Sequence, residues 1–248
     1  MNTKSSDASI SIVVPIFNEK ESIPVLCDQI KSVLEVLKKH YEILLIDDCS
    51  TDGTEEVISD VAKNDQNIRG IRLLKNSRKA GALEVGFREA KGDIIVTIDA
   101  DLQDDPAEIP RLVEEIENGA DMVSGWKKPR RDSILKRTFS EIMNLFASVL
   151  LMHRFHDMNS GFKAYRAEIA KELSLPSGMY RFIPHMLAVQ GHDVREIVVN
   201  HRPRKFGKTK FGLFHRLKGP VDLIRLVFIT KCGKTMPESK NSYKSRDI

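Results

Sequence analysis

The chain has 248 residues, 39 Lys and Arg against 35 Asp and Glu, a length that buries one substantial core and favours a single α/β domain over two. Its three cysteines are odd in number and lack metal-type spacing, and its first residues show no charged-then-apolar leader pattern, so a reducing, cytoplasmic setting is expected. Charge is divided: residues 1–200 carry 26 basic against 32 acidic side chains and residues 201–248 carry 13 against 3, which points to an anionic partner at one end and away from a uniformly basic nucleic-acid-binding body.

After a polar N-terminus over residues 1–8, the run "SISIVVPIF" predicts a strand, and "EKESIPVLCDQIKSVLEVLKKH" repeats apolar residues at helical spacing. The alternation continues in "YEILLIDD" and the helix after "CSTDGT", in "IRGIRLL" and "RKAGALEVGFREA", and in "DIIVTIDA" with a helix from Pro106 to Glu117. Near-continuous apolar strands alternating with helices predict a Rossmann-like, mostly parallel sheet flanked by helices. Beyond "ADMVSGW", a long helix with a basic start is expected from Lys127 to Met152, followed by an irregular "HDMNSGFKAYR". A helix in "IPHMLAVQG", a strand in "DVREIVVNH" and a basic loop "RPRKFGKTKFG" complete a domain over residues 9–211. Residues 212–231 place Leu217, Val221, Ile224 and Phe228 at helical spacing among basic residues, and 232–248 read as a polar tail, disordered from about residue 234. No apolar run approaches the roughly 20 residues needed to span a bilayer.

Ligands of such sheets sit beyond the carboxyl ends of the strands, where this chain reads "PIFNE", "IDDCSTDG" and "IDADLQDD". A carboxylate cluster leaving an apolar strand needs compensation by a cation or by hydrogen-bond donors. Asp99 and Asp101, two residues apart, share a face if the strand continues, and Gln103 prolongs the spacing with a neutral oxygen. Hard oxygen donors with open positions suit Mg²⁺ or Mn²⁺ carrying substrate phosphates. Asp104 and Asp105, before Pro106, are expected to start a helix, and Asp52 to cap one, while Asp48 is free to accept hydrogen bonds from a base or ribose.

"VVPIFNE", "IDDCSTDGT", "IDADLQDDP", "HDMNSGFKAYR" and "RKFGKTKF" stand in the order and approximate spacing of family 2 glycosyltransferases. The chain resembles in particular the polyprenyl-phosphate (dolichol-phosphate) mannose and glucose synthases, over roughly residues 9–231. The resemblance implies a GT-A fold, a nucleotide-diphosphate-sugar donor, and inverting transfer of a hexose to a polyprenyl phosphate with Mg²⁺ or Mn²⁺. Carried over by position, Pro15, Phe17, Glu19, Ile46 and Asp48 would line the nucleoside pocket. Asp99 and Ala100 would lie by the ribose and metal, and Asp101 with Gln103 would hold the metal. Asp157 would sit near the reacting centre, with Gly161 and Phe162 shaping the acceptor side. Lys127, Lys136, Ser140, Arg204, Thr209 and Lys210 would meet phosphates, although lysine at 127 and 136 lacks the bidentate fork of the arginine common in the family.

A phosphate acceptor also fits the lack of an obvious general base, because a phosphomonoester with a second pKa of about 6 is already a dianionic nucleophile at neutral pH. His153 and His156 sit among Met152 and Phe155 and read as partly buried or interfacial histidines rather than metal ligands. Members of the subgroup often continue into two transmembrane helices; the shorter members lack them. Membrane contact through the basic segment, or through a separate membrane subunit, is therefore expected. A soluble glycan, other lipid or natural-product acceptor, and a noncatalytic sugar-nucleotide-binding subunit, remain the alternatives.

Overall fold

β-branched runs and amphipathic segments produce β1 (Ile10–Ile16), α1 (Ile23–Leu37), β2 (Tyr41–Asp47), α2 (Thr54–Asn64), β3 (Ile68–Leu73), α3 (Arg78–Glu89), β4 (Ile94–Thr97), α4 (Ile109–Glu117) and β5 (Met122–Lys127). They are followed by β6 (Lys163–Arg166), α5 (Ala167–Glu172), α6 (Ile183–Val189), β7 (Val194–Val199) and β8 (Ser245–Asp247). This computed structural model describes residues 8–128, 148, 153–176, 178–206, 222–228 and 243–248. Apart from Ser148, residues 129–152 of the expected long helix lie outside that range, and Lys127 belongs to β5.

The strands form one sheet in the order β7-β5-β6-β4-β1-β2-β3-β8. β4, β1, β2 and β3 are mutually parallel, as are β5 and β7, whereas β6 runs antiparallel to β4 and β5, and β8 antiparallel to β3. Both faces are covered. Ile12, Val14, Ile43 and Leu45 pack toward α1, α2 and α4, while Val13, Leu44 and Ile46 pack toward α3, α5 and α6. In α1, Ile23, Leu26, Cys27, Ile30 and Leu34 face the sheet, and each large aliphatic side chain so buried contributes roughly 1.5–3 kcal/mol.

Two segments depart from expectation. The end of "HDMNSGFKAYR" is regular strand: Ala164 and Tyr165 are buried on opposite faces, and Lys163 at its start disguises the pattern. The tail is ordered over residues 243–248, where β8 covers the edge of β3. Residues 222–228 are helical and bury Leu223 and Leu226, whereas Ile224 and Phe228 of the apolar spacing noted above point outward, 68% and 60% exposed. Among the described residues, no helix is long and apolar enough to cross a membrane.

Candidate active site

Because β1, β2, β3 and β4 are parallel, the loops at their carboxyl ends meet on one rim. Four of the five non-glycine residues with left-handed φ among the described residues lie there: Asn18 (52°), Cys49 (64°), Arg78 (62°) and Leu102 (61°). Such conformations cost on the order of 1 kcal/mol or more each, and cross-links between the loops hold them. The Asn18 amide donates to Ser50 Oγ (2.8 Å), the Thr51 amide to Asn18 Oδ1 (2.8 Å) and the Glu19 amide to Thr54 Oγ1 (3.2 Å).

The rim encloses a cavity of about 500 Å³. Pro15, Phe17 and Glu19 enter it from the end of β1, Asp48 from β2, Asn76, Arg78 and Lys79 from the β3–α3 junction, and Asp99, Ala100 and Asp101 from β4. Tyr180, Arg181, Arg204 and Asp222 complete the wall. Ile46, expected in the nucleoside pocket, is instead fully buried in the core one step down β2, on the face Asp48 shares but below the rim.

At one end Asp48 is 4% exposed and accepts from the Ser77 amide (2.6 Å), while Asn76 Nδ2 donates to the Asp48 carbonyl (3.0 Å). Burial pushes the Asp48 carboxyl up to about 6, against the Ser77 and Arg78 amides, which favour its charge.

At the other end, β4 stops at Thr97, so Asp99 and Asp101 are brought together by a turn rather than by strand alternation. Asp99 is ion-paired with Lys79. Burial opposes its charge, but Lys79, Lys127 and Lys163 outweigh burial and hold the carboxyl below its usual range. Asp101 is raised by burial and then by Asp99, with Arg204 opposing. Arg204 bridges the two rim acids, Nη1 to Glu19 Oε1 (3.1 Å) and Nη2 to Asp101 Oδ2 (2.5 Å). The left-handed Leu102 then redirects the chain, so Gln103 leaves the cavity: its amide donates to Asp101 Oδ1 (3.1 Å) and its Nε2 to the Arg202 carbonyl (3.4 Å).

Beneath this floor lies a buried charge layer. Lys127 pairs with Asp104 (2.6 Å), so its ammonium is committed to a carboxylate rather than presented to the cavity, and Asp104 is a buried ion-pair partner rather than a mere helix-start acid. Asp105 does act at the helix start, accepting from the Ala107 amide (3.0 Å), whereas the N-cap position of α2 is Gly53 and Asp52, one residue before it, accepts from the Thr54 amide (3.1 Å). Lys163 donates to the Ser160 carbonyl, and burial followed by the charge of Lys79 pushes it down to about 7. Asp157 is fully buried and acts electrostatically on Lys127 and Lys163 without lining the cavity. Phe162 is core, whereas Gly161 backs directly onto Asp99: a Cβ there would lie 2.3 Å from Asp99 Oδ2. His156 stacks on Trp126 (4.1 Å between ring centroids), its Nδ1 2.9 Å from Glu196 Oε2. Lys136, Ser140, Thr209 and Lys210 lie outside the described residues.

Motif reading missed Asn76, Arg78, Lys79, Tyr180, Arg181 and Asp222, and of these Lys79 reaches a predicted site carboxylate, Asp99. The signal for Lys79 was present: "SRKA" places two cations at a helix N-terminus, where the macrodipole disfavours them. Asp99 supplies the compensation. Two carboxylates facing a cavity and neutralised by lysine and arginine form a hard-oxygen site able to exchange those cations for a divalent ion. Among the described residues no cluster of three or more acidic, histidine or cysteine side chains could hold a metal alone, so such an ion would draw its remaining ligands from phosphate and water.

Residues 11–174 match the model described as Glycosyl transferase family 2. The chain is 35% identical over 222 residues, 89% of its length and 68% of theirs, to the undecaprenyl-phosphate 4-deoxy-4-formamido-L-arabinose transferase of Yersinia pestis (strain Pestoides F), and 34% identical to that of Aeromonas hydrophila over the same shares. In fold it is similar to glucosyl-3-phosphoglycerate synthase from Mycobacterium tuberculosis, in complex with Mn²⁺, uridine diphosphate and phosphoglyceric acid (TM-score 0.70, 19% identity, 98% of this chain and 87% of that one). Mannosyl-3-phosphoglycerate synthase from Rubrobacter xylanophilus is similarly related (TM-score 0.69, 14% identity, 94% and 78%).

Proposed function

Because the chain belongs to glycosyl transferase family 2 and has the GT-A architecture, it is a glycosyltransferase, and we propose that it moves a sugar from a nucleotide diphosphate to a polyprenyl phosphate at the cytoplasmic face of a membrane. The observation that carries this reading is the Asp99–Asp101 turn at the floor of the 500 Å³ cavity, with Lys79 and Arg204 on its carboxylates and the buried Asp48 carboxyl lining the other end. The acceptor is inferred from the relatives' named substrate, undecaprenyl phosphate, and the sugar is a hexose or a modified pentose of the kind they are named for.

In this reading Asp48 accepts a hydrogen bond from the base, Phe17 and Pro15 flank it, and Asp99 and Asp101 would hold Mg²⁺ or Mn²⁺. The metal supplies charge neutralisation for the departing nucleoside diphosphate. Arg204 is released from Asp101 and redirected to a phosphate, where its planar fork is effective. Lys127, Lys163 and Asp157 position Asp99 from below. The acceptor phosphate, already an anion, needs orientation more than deprotonation, and Lys136, Ser140, Thr209 and Lys210 are assigned to that task. The outward Ile224 and Phe228, beside the exposed Arg225, support peripheral contact with an anionic bilayer. A separate membrane subunit would serve the same end.

The test is incubation of the protein with a polyprenyl phosphate, Mg²⁺ or Mn²⁺, and UDP- or GDP-sugars in turn, followed by mass spectrometry of the lipid fraction. A metal-dependent lipid-phosphate sugar is the expected product. Donor hydrolysis without lipid product would overturn the acceptor assignment.

Asp48 adds a pH signature. If the base donates to the carboxylate, nucleotide affinity falls as pH drops through about 6, and Asp48→Asn flattens that profile while weakening binding at neutral pH. Stability runs the other way. A carboxyl raised from 3.8 to about 6 in the folded state takes up protons on folding, so its contribution declines as pH rises across that window and stays low above it. Asp48→Asn should therefore gain up to ~2 kcal/mol of stability above pH 6, measured by denaturant titration. Weaker binding together with lower stability at neutral pH would refute the assignment.

A further inference from the structure

We propose that residues 243–248 are a positioning strap for the nucleotide-binding half of the site, although none of them lines the cavity. The inference rests on the reading that the cavity binds a nucleotide.

Three sets of contacts carry it. The first is backbone. β8 pairs with β3, the Leu74 amide donates to the Lys244 carbonyl (3.0 Å), and the Ile248 amide donates to the Gly70 carbonyl (3.0 Å). Leu74 immediately precedes residues 75–77, from which Asn76 and Ser77 hold Asp48. Without β8, β3 would be an edge strand with unpaired amides and carbonyls, and the base of that loop would lose its anchor.

The second is packing. Tyr243 lies against the first turn of α3, where a Cβ on Gly81 would stand 2.9 Å from Tyr243 Cε1. Ile248 lies over Gly70, where a Cβ would stand 2.8 Å from Ile248 Cγ1. Neither glycine leaves room for a side chain between the strap and the element behind it, Ser77 Cβ at Gly81 and Ile58 Cγ2 at Gly70 (each 2.4 Å from such a Cβ), and Gly81 is two residues from Lys79.

The third is a chain of charges. Arg246 pairs with Glu55 (2.5 Å), Glu55 with Arg72 (2.9 Å) and Arg72 with the fully buried Asp47 (2.6 Å). Asp47 Oδ1 accepts from the Ser50 amide (3.0 Å), and Arg72 Nη2 donates to the Ser50 carbonyl (3.1 Å). Ser50 in turn holds Asn18. The outer link is 57% exposed at Arg246 and contributes little by itself. Its value is that strap, α2 and both nucleotide-side loops share one network.

The experiment compares the full chain with a variant lacking residues 243–248 and with Tyr243→Ala, measuring UDP and GDP affinity by calorimetry, fold by circular dichroism, and amide exchange at residues 18, 50 and 74–78. Removal of the strap is expected to weaken binding of the preferred nucleotide roughly tenfold to a hundredfold with the fold retained, and Tyr243→Ala by a few-fold. Donor KM should rise while acceptor KM holds. Faster exchange at residues 74–78 in Tyr243→Ala is expected whether or not either nucleotide binds. A shortened chain that folds and binds within twofold of the full chain overturns the proposal; if that chain does not fold, unchanged affinity and exchange in Tyr243→Ala overturn it. Failure of the full chain to bind either nucleotide, with exchange still accelerated in Tyr243→Ala, leaves the strap standing and removes the nucleotide reading.

Discussion

Asp101→Ala is expected to lower turnover roughly a thousandfold, about 4 kcal/mol of transition-state stabilisation, while leaving the fold as stable as the parent to within about 1 kcal/mol. The asymmetry follows from the electrostatics. Asp101 is a partly buried carboxylate whose charge is disfavoured by burial and by Asp99, and it is compensated by Arg204. Removing it relieves a repulsion and leaves Arg204 on Glu19 at 3.1 Å, so little stability is lost. In the proposed reaction, however, it is one of the two carboxylates assigned to a metal on the diphosphate. Nucleotide affinity should consequently lose its metal dependence and keep the part that depends on Asp48. Kinetics with and without Mn²⁺, alongside a denaturation curve, decide the matter. Turnover within tenfold of the parent would remove Asp101 from the chemistry, and an unfolded variant would make it structural.

Much of this site was legible in the strand ends because the periodicity of apolar residues locates where a parallel strand stops, and the acids that follow are too costly to be incidental. Thus Asp48, Asp99 and Asp101 come from separate elements yet line one cavity, together with Pro15, Phe17 and Glu19, which the family resemblance assigned. What escaped was set by partners distant in sequence. Asp104 has the position of a helix-start acid, and only the ion pair with Lys127, donated by β5, shows it to be buried charge. Ile46 and Asp48 share a strand face, but residue spacing does not say how deep the rim lies. Gln103 was lost to one left-handed residue, Leu102, which no alternation pattern anticipates. The short strands β6 and β8 are stabilised by long-range pairing, and their lysines, arginines and aspartate read as irregular chain.

The lysines beneath the floor give the site its particular logic. Asp99 is kept ionised by three ammonium groups, of which Lys79 reaches it directly, while Lys127 and Lys163 are themselves held by Asp104 and by the Ser160 carbonyl. A carboxylate ionised in advance is ready to exchange one cation for another. Its orientation must then come from steric contact, because Lys79 is a flexible point charge and fixes no direction.

That steric contact is Gly161, and Gly161→Ala is expected to cost about 1–3 kcal/mol of stability and to reduce turnover roughly a hundredfold. The new methyl would fall 2.3 Å from Asp99 Oδ2 and 2.5 Å from its carboxyl carbon, inside any real contact distance, so either Asp99 or the backbone must shift. The backbone is poorly placed to yield, since the Gly161 carbonyl accepts from the buried Thr97 hydroxyl at 2.7 Å and Phe162 beside it is fully buried. Asp99 therefore swings, and with it the ion pair to Lys79. A double-mutant cycle separates this account from a general packing defect. In an Asp99→Ala background the methyl has room, so the added alanine at 161 should cost little further stability and no further activity. Equal destabilisation with and without the Asp99 carboxylate would show that Gly161 serves the fold alone, and the orientation of Asp99 would need another cause.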